Sequence, residues 1–132
     1  MKLLSLILVV GLALLAVGQN TKEPTVPKYN PAAEAVYKGT VDDVRDRQCP
    51  ISGGVGSHIL MRLENGNTIE VHLATTEFTK ILEMNLRKGD PIAVTGWKTE
   101  FGGMQTIFAR EVRYGSDTYI FRAKDGAPAW IY

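Results

Sequence analysis

A hairpin written into residues 58–74 constrains this chain more than any other feature. His58 to Glu64 and Thr68 to Ala74 each alternate apolar and polar residues, and Asn65-Gly66-Asn67 stands between them as a turn. A three-residue turn pairs Leu63 with Ile69, Met61 with Val71 and Ile59 with Leu73, which makes one face wholly apolar. The other face carries His58, Leu60, Arg62, Glu70 and His72. There Arg62 is expected opposite Glu70 as a cross-strand charge pair, with His58 opposite Ala74 and His72 diagonal to His58.

The remaining elements are read around this hairpin. Residues 35–44 make a first strand with a bend or bulge at Gly39, and Gln48 to Gly56 a loop around Pro50 and Gly53-Gly54-Val55-Gly56. Thr75 to Lys88 reads as the one helix, capped by Thr75 or Thr76 and stopped by Gly89. Phe78, Ile81, Leu82 and Leu86 form its buried stripe. Pro91 opens a fourth strand that runs through Ile92 to Lys98. Gln105 to Arg113 is a fifth strand, and short strands at 118–122 and 129–132 flank the turn Lys124-Asp125-Gly126. One helix between the third and fourth of five strands is the layout of an OB-fold. The expected class is therefore all-β with one helix: an OB-fold-like five-stranded antiparallel barrel with a C-terminal hairpin.

The N-terminal segment reads differently. Lys2, the apolar run Leu3 to Val17 and small residues at Ala16 and Gly18 describe a secretory signal over residues 1–18, cleaved before Gln19. The run is about 15 residues, short of the ~20 that span a bilayer as a helix. Residues 19–32, with Pro24, Pro27 and Pro31, form an extended linker, and 33–132 the domain. A periplasmic or secreted location is expected.

Composition then narrows the partners. Loss of Lys2 balances the basic and acidic residues, so the neutral domain lacks the basic excess of a nucleic-acid or anionic-membrane binder. Cys49 is the single cysteine, so no internal disulfide forms. In an exported protein it is a free thiol, an intermolecular bridge or a ligand.

No catalytic constellation is expected. Cys49 precedes a proline without a nucleophile motif, adjacent Asp42 and Asp43 point to opposite faces, and the glycine loop leads into a strand instead of a helix. Three binding chemistries remain. The face bearing His58, Leu60, Arg62, Glu70 and His72 could contact a small ligand or protein partner. Cys49, His58 and His72 could converge on zinc or copper. Aromatic residues, Trp97 and Trp130 among them, could bind an oligosaccharide or a single strand if they cluster exposed on that face.

Five stretches carry a family resemblance: His58-Ile59-Leu60, Gly66 to Leu73, Lys88 to Gly96, Ala109 to Val112 and Asp125 to Trp130. In this order they resemble the small exported domain of the magnetosome proteins MamS and MamX, over roughly Ala35 to Trp130. Ala74-Thr75 stands where many relatives have Gly-Pro, and Phe121-Arg122-Ala123 where they have Leu-Arg-Asp. The Cys-x-x-Cys-His haem motif of MamX is absent here, so haem and electron transfer are not carried over, nor is a magnetosome role. The resemblance implies an exported, non-enzymatic OB-like binding or accessory module.

Overall fold

The first strand has to serve two neighbours, and its sequence allows it to. In the computed structural model, which describes residues 25–131, β1 runs unbroken over Glu34–Cys49. The signal expected at 1–18 and the start of the expected linker lie outside the described residues. β1 is followed by β2 (Gly54–Leu63), β3 (Thr68–Thr75), helix α1 (Thr76–Ile81), β4 (Pro91–Phe101), β5 (Met104–Tyr114) and β6 (Asp117–Ile120). The first part of β1, Glu34 to Thr40, pairs antiparallel with β4; from Gly39 to Cys49 it pairs antiparallel with β2. At the handover a Cβ on Gly39 would overlap the Arg62 carbonyl oxygen, so only glycine lets the backbones approach. The irregularity expected at the glycine falls just after it, as a bulge between Val41 and Asp43.

β3 and β5 close the ring by a parallel pairing, Glu70 with Thr106, Val71 with Ile107 and His72 with Phe108. The order β1-β2-β3-β5-β4 and back to β1 is the expected five-stranded barrel, with β6 added outside β5. Its interior is the apolar face of the hairpin (Ile59, Met61, Ile69, Val71, Leu73) together with Val41, Val94, Ile107, Val112 and Phe121.

The hairpin register corrects the sequence expectation. The loop is Glu64-Asn65-Gly66: the Gly66 N–H donates to the Leu63 carbonyl (2.9 Å) and the Leu63 N–H to the Asn67 carbonyl (2.8 Å). Gly66 adopts φ +88°, the left-handed residue of a turn-plus-bulge connection. Pairing therefore shifts by two residues: Ile59 faces Val71, Met61 faces Ile69 and His58 faces His72. A two-residue shift keeps every side chain on its face but changes every partner. The Arg62–Glu70 pair is lost; Arg62 faces Thr68 and reaches Asp42, while Glu70 pairs with Arg47.

The helix is also shorter than the expected 75–88. Thr75 caps it, its Oγ1 accepting from the Phe78 N–H at 3.2 Å. It stops at Ile81 because Glu83 takes φ +57°, the Glu83 N–H donates to the Lys80 carbonyl and the Met84 N–H to the Thr79 carbonyl. This is a Schellman ending built on a glutamate instead of the glycine that marks most such stops. Ile81 consequently points to solvent, whereas Leu86, beyond the helix, is buried. At the C-terminus the turn at Lys124-Asp125-Gly126 forms as expected. In place of a strand at 129–132 there is a single bridge, Arg122 with Pro128. Among the described residues no helix is long and apolar enough to cross a membrane.

Gly39→Ala should lower stability by about 1–3 kcal/mol, because the β1–β2 backbones must part. Gly54→Ala, with open space around it, should change it by less than about 0.5 kcal/mol. Urea denaturation midpoints of the two variants check this, and equal midpoints would refute the close-approach argument.

Candidate metal centre

Outside the barrel wall a second, smaller cluster forms over the strand ends. Tyr29, Cys49, Ile51 and Phe108 are buried there, with Trp97 and Phe101 packed against them. The cluster exists because β1 is longer than the sequence suggests. Cys49 is its last residue, not part of a loop, and pairs with Gly54 across a four-residue turn. The expected loop at 48–56 is thus mostly strand. The turn is held down from far away: the Trp130 indole N–H donates to the Ser52 carbonyl at 3.0 Å, and a Cβ on Gly56 would collide with the Ser52 hydroxyl.

This cover buries the histidine end of the mixed hairpin face. His58 is 2% and His72 7% exposed. Leu60 and Glu70 are half-buried, and Arg62 is exposed. The face expected to meet a ligand is thus divided: its outer end is open, and its inner end is buried under Cys49 and the aromatic rings.

The three potential ligands do converge. Cys49 Sγ lies 3.3 Å from His72 Nδ1, and one donor atom from each of Cys49, His58 and His72 lies within 4.8 Å of the other two. Donor atoms around a tetrahedral zinc stand about 3.3–3.6 Å apart, given the usual metal–ligand lengths, so a small contraction would bring this set onto one ion. The two imidazoles are edge-to-face with centroids 4.4 Å apart, a closeness that follows directly from the corrected register. His58 Nδ1 is buried without a hydrogen-bond partner. An orphaned nitrogen of this kind costs about 1–3 kcal/mol in the absence of a partner.

Electrostatics favours the neutral, metal-binding form of both rings. Burial lowers the His58 pKa to about 4, helped by the Arg47 cation. Burial, then His58, then Arg47 lower that of His72 to about 3. Glu70 Oε1 stands 3.8 Å from His72 Nε2 and is itself ion-paired with Arg47. At that distance the carboxylate flanks the far nitrogen without accepting a hydrogen bond from it.

Sequence reasoning missed the walls of the site. Phe101 and Phe108 stand edge-to-face with His72, ring centroids 5.9 and 5.7 Å away, Phe108 brought there by the parallel β3–β5 pairing. Tyr29, assigned to the linker, is buried: its hydroxyl donates to Glu34 (2.7 Å), which also accepts from Arg110 (2.6 Å). The proline spacing of residues 24–31 hid this anchor. The aromatic rings are spent on one another: Trp130 is buried beside the Arg122 guanidinium, and Trp97 packs edge-on against Tyr29 and Phe108. Asp42 and Asp43 serve separate arginines, Arg62 and Arg45, and form no carboxylate pair. An open groove of about 590 Å³ lies elsewhere, beside Gly39, Leu63 and Ile92, and none of its lining residues is a histidine or cysteine.

The neutral histidines give the metal-free fold a pH dependence. Both imidazoles titrate near 6.5 when unfolded and lower when folded, so below that pH the unfolded chain binds more protons. The histidine contribution to stability is complete above about pH 6.5 and is lost as pH falls toward 4 and then 3. The urea midpoint of the metal-free chain should already fall between about pH 6.5 and 5, above the range of ordinary carboxylates. A flat profile there would contradict neutral burial.

The family resemblance carried by the five stretches agrees with comparison to known proteins. No curated protein matches the chain. A family model described as the MamS/MamX magnetosome protein family matches residues 34–119, from the first residue of β1 into β6. The chain belongs to the MamS/MamX magnetosome protein family.

Proposed function

We propose that this domain is an exported, non-enzymatic metal-binding module whose centre is Cys49, His58 and His72, with zinc or copper as the ion. The observation that carries the reading is the convergence of three buried donor groups, one bearing an unpartnered nitrogen. Imidazole and thiolate suit these borderline and soft ions better than they suit calcium or magnesium. The void beside the three side chains, walled by Ile51, Ser52, Gly56 and Ala74, is too small for a water molecule. On this side the ion is closed off from water, which suits holding an ion more than activating water at an open coordination position.

Burial also bears on the thiol. Cys49 is 6% exposed, so an intermolecular disulfide would require the turn above it to open. Export is supported by the signal-like residues 1–18, and the ligand role accounts for a lone cysteine in an oxidising compartment. The outer part of the hairpin face, Leu60, Arg62 and Glu70, remains available to a protein partner or small ligand.

Purified chain exposed to zinc or to reduced copper should retain one ion per molecule by elemental analysis. At a hundredfold excess over the dissociation constant, the ion should add about 2.7 kcal/mol of stability. Cys49→Ser should remove most of both effects while leaving the circular dichroism of the fold unchanged. Absence of stoichiometric metal and of any thermal shift with either ion would end the reading.

A further inference from the structure

We infer that the ion held by Cys49, His58 and His72 is cuprous copper, taken up through the surface opening flanked by Met104. This rests on the metal-binding reading above and deepens it by choosing the ion.

Coordination number is the first argument. Among the described residues the cluster offers three ligands, and no fourth histidine, cysteine or carboxylate joins it. Glu70 approaches His72 Nε2, whereas Cys49 is beside Nδ1, so the carboxylate stands behind the ring. The void that touches all three donors admits no water, and the wider cavity on the Met104 side touches Cys49 and His72 but not His58. Zinc sites are almost always four-coordinate, by four protein ligands or by three and a water. A d¹⁰ monovalent ion is satisfied by three donors; thiolate suits both ions, so ligand count and charge make the choice.

Charge is the second argument. Binding replaces the Cys49 thiol proton, which leaves to solvent, so the site holds one thiolate and two neutral imidazoles. A monovalent ion makes that set neutral; zinc would leave a net positive charge among buried rings. Burying an uncompensated charge is costly, and the nearby charges do not supply the compensation. Arg47 and Glu70 are paired with each other, and Asp46 is exposed, where water and salt screen it.

The third observation is the opening. A cavity of about 170 Å³ reaches Cys49 and His72 from the surface past Arg47, Glu70, Phe101 and Met104. Met104, which lines this cavity, is 55% exposed: an apolar side chain held in solvent beside an opening that touches both sulfur and imidazole donors. Its thioether is a soft ligand with affinity for cuprous copper and little for zinc.

The test uses the full reduced chain under anaerobic conditions, loaded in parallel with cuprous copper and with zinc against chelators of known affinity. The expected result is one cuprous ion per chain, an X-ray absorption spectrum with one sulfur and two nitrogen neighbours, and at least a hundredfold weaker retention of zinc. Met104→Leu should slow copper loading several-fold without changing the final stoichiometry. Zinc bound one to one as tightly as copper, or a four-coordinate copper site, overturns the cuprous assignment and leaves the metal centre standing. Failure of both ions to bind overturns the metal centre as well. A loading rate unchanged in Met104→Leu overturns the route.

Discussion

The architecture depends on one strand having two partners. β1 can hydrogen-bond to β4 and then to β2 only because two backbones meet at Gly39 without a side chain between them. That handover bends the sheet far enough for β3 to reach β5, and closure by this parallel pair leaves the five barrel strands without an open edge. With no disulfide available, closure and the apolar interior hold the domain together.

The same geometry creates the candidate centre. The far end of β1 overshoots the barrel and carries Cys49 over the outer face of the hairpin. The parallel closure brings Phe108 beside His72 from the other side. Two histidines that would be ordinary surface residues on an uncovered hairpin thus become buried and neutral. Long-range contacts keep the cover in place: the Trp130 indole on the Ser52 carbonyl, and Tyr29 wedged against Trp97 and tied to Glu34. Family membership shows that this kind of domain recurs, while the chemistry assigned to it here comes from the three side chains and their surroundings.

Particular residues show where local reading works. A threonine helix cap (Thr75 or Thr76, with Thr75 used), Pro91 at the start of β4 and the turn at Gly126 were all legible, because capping oxygens, a missing N–H and a positive φ are demands met within a few residues. The helix end was not legible, since its left-handed residue is Glu83 and the more obvious Gly89 comes later. The hairpin turn was displaced by one residue, because Gly66 serves a bulge and not the middle of the loop.

The sequence by itself determined the class of fold and the faces of the strands, and it singled out the three side chains that the fold brings together. Side-chain alternation has period two and survives any even error of register. Tertiary structure decided the rest: that His58 faces His72 directly, that Cys49 closes over them, and that Glu70 answers to Arg47 and not to Arg62. The last two outcomes join residues 23 positions apart, and the cover over the histidines is held by a contact 78 positions apart, where position is set by how the barrel closes and not by the pattern of neighbouring residues.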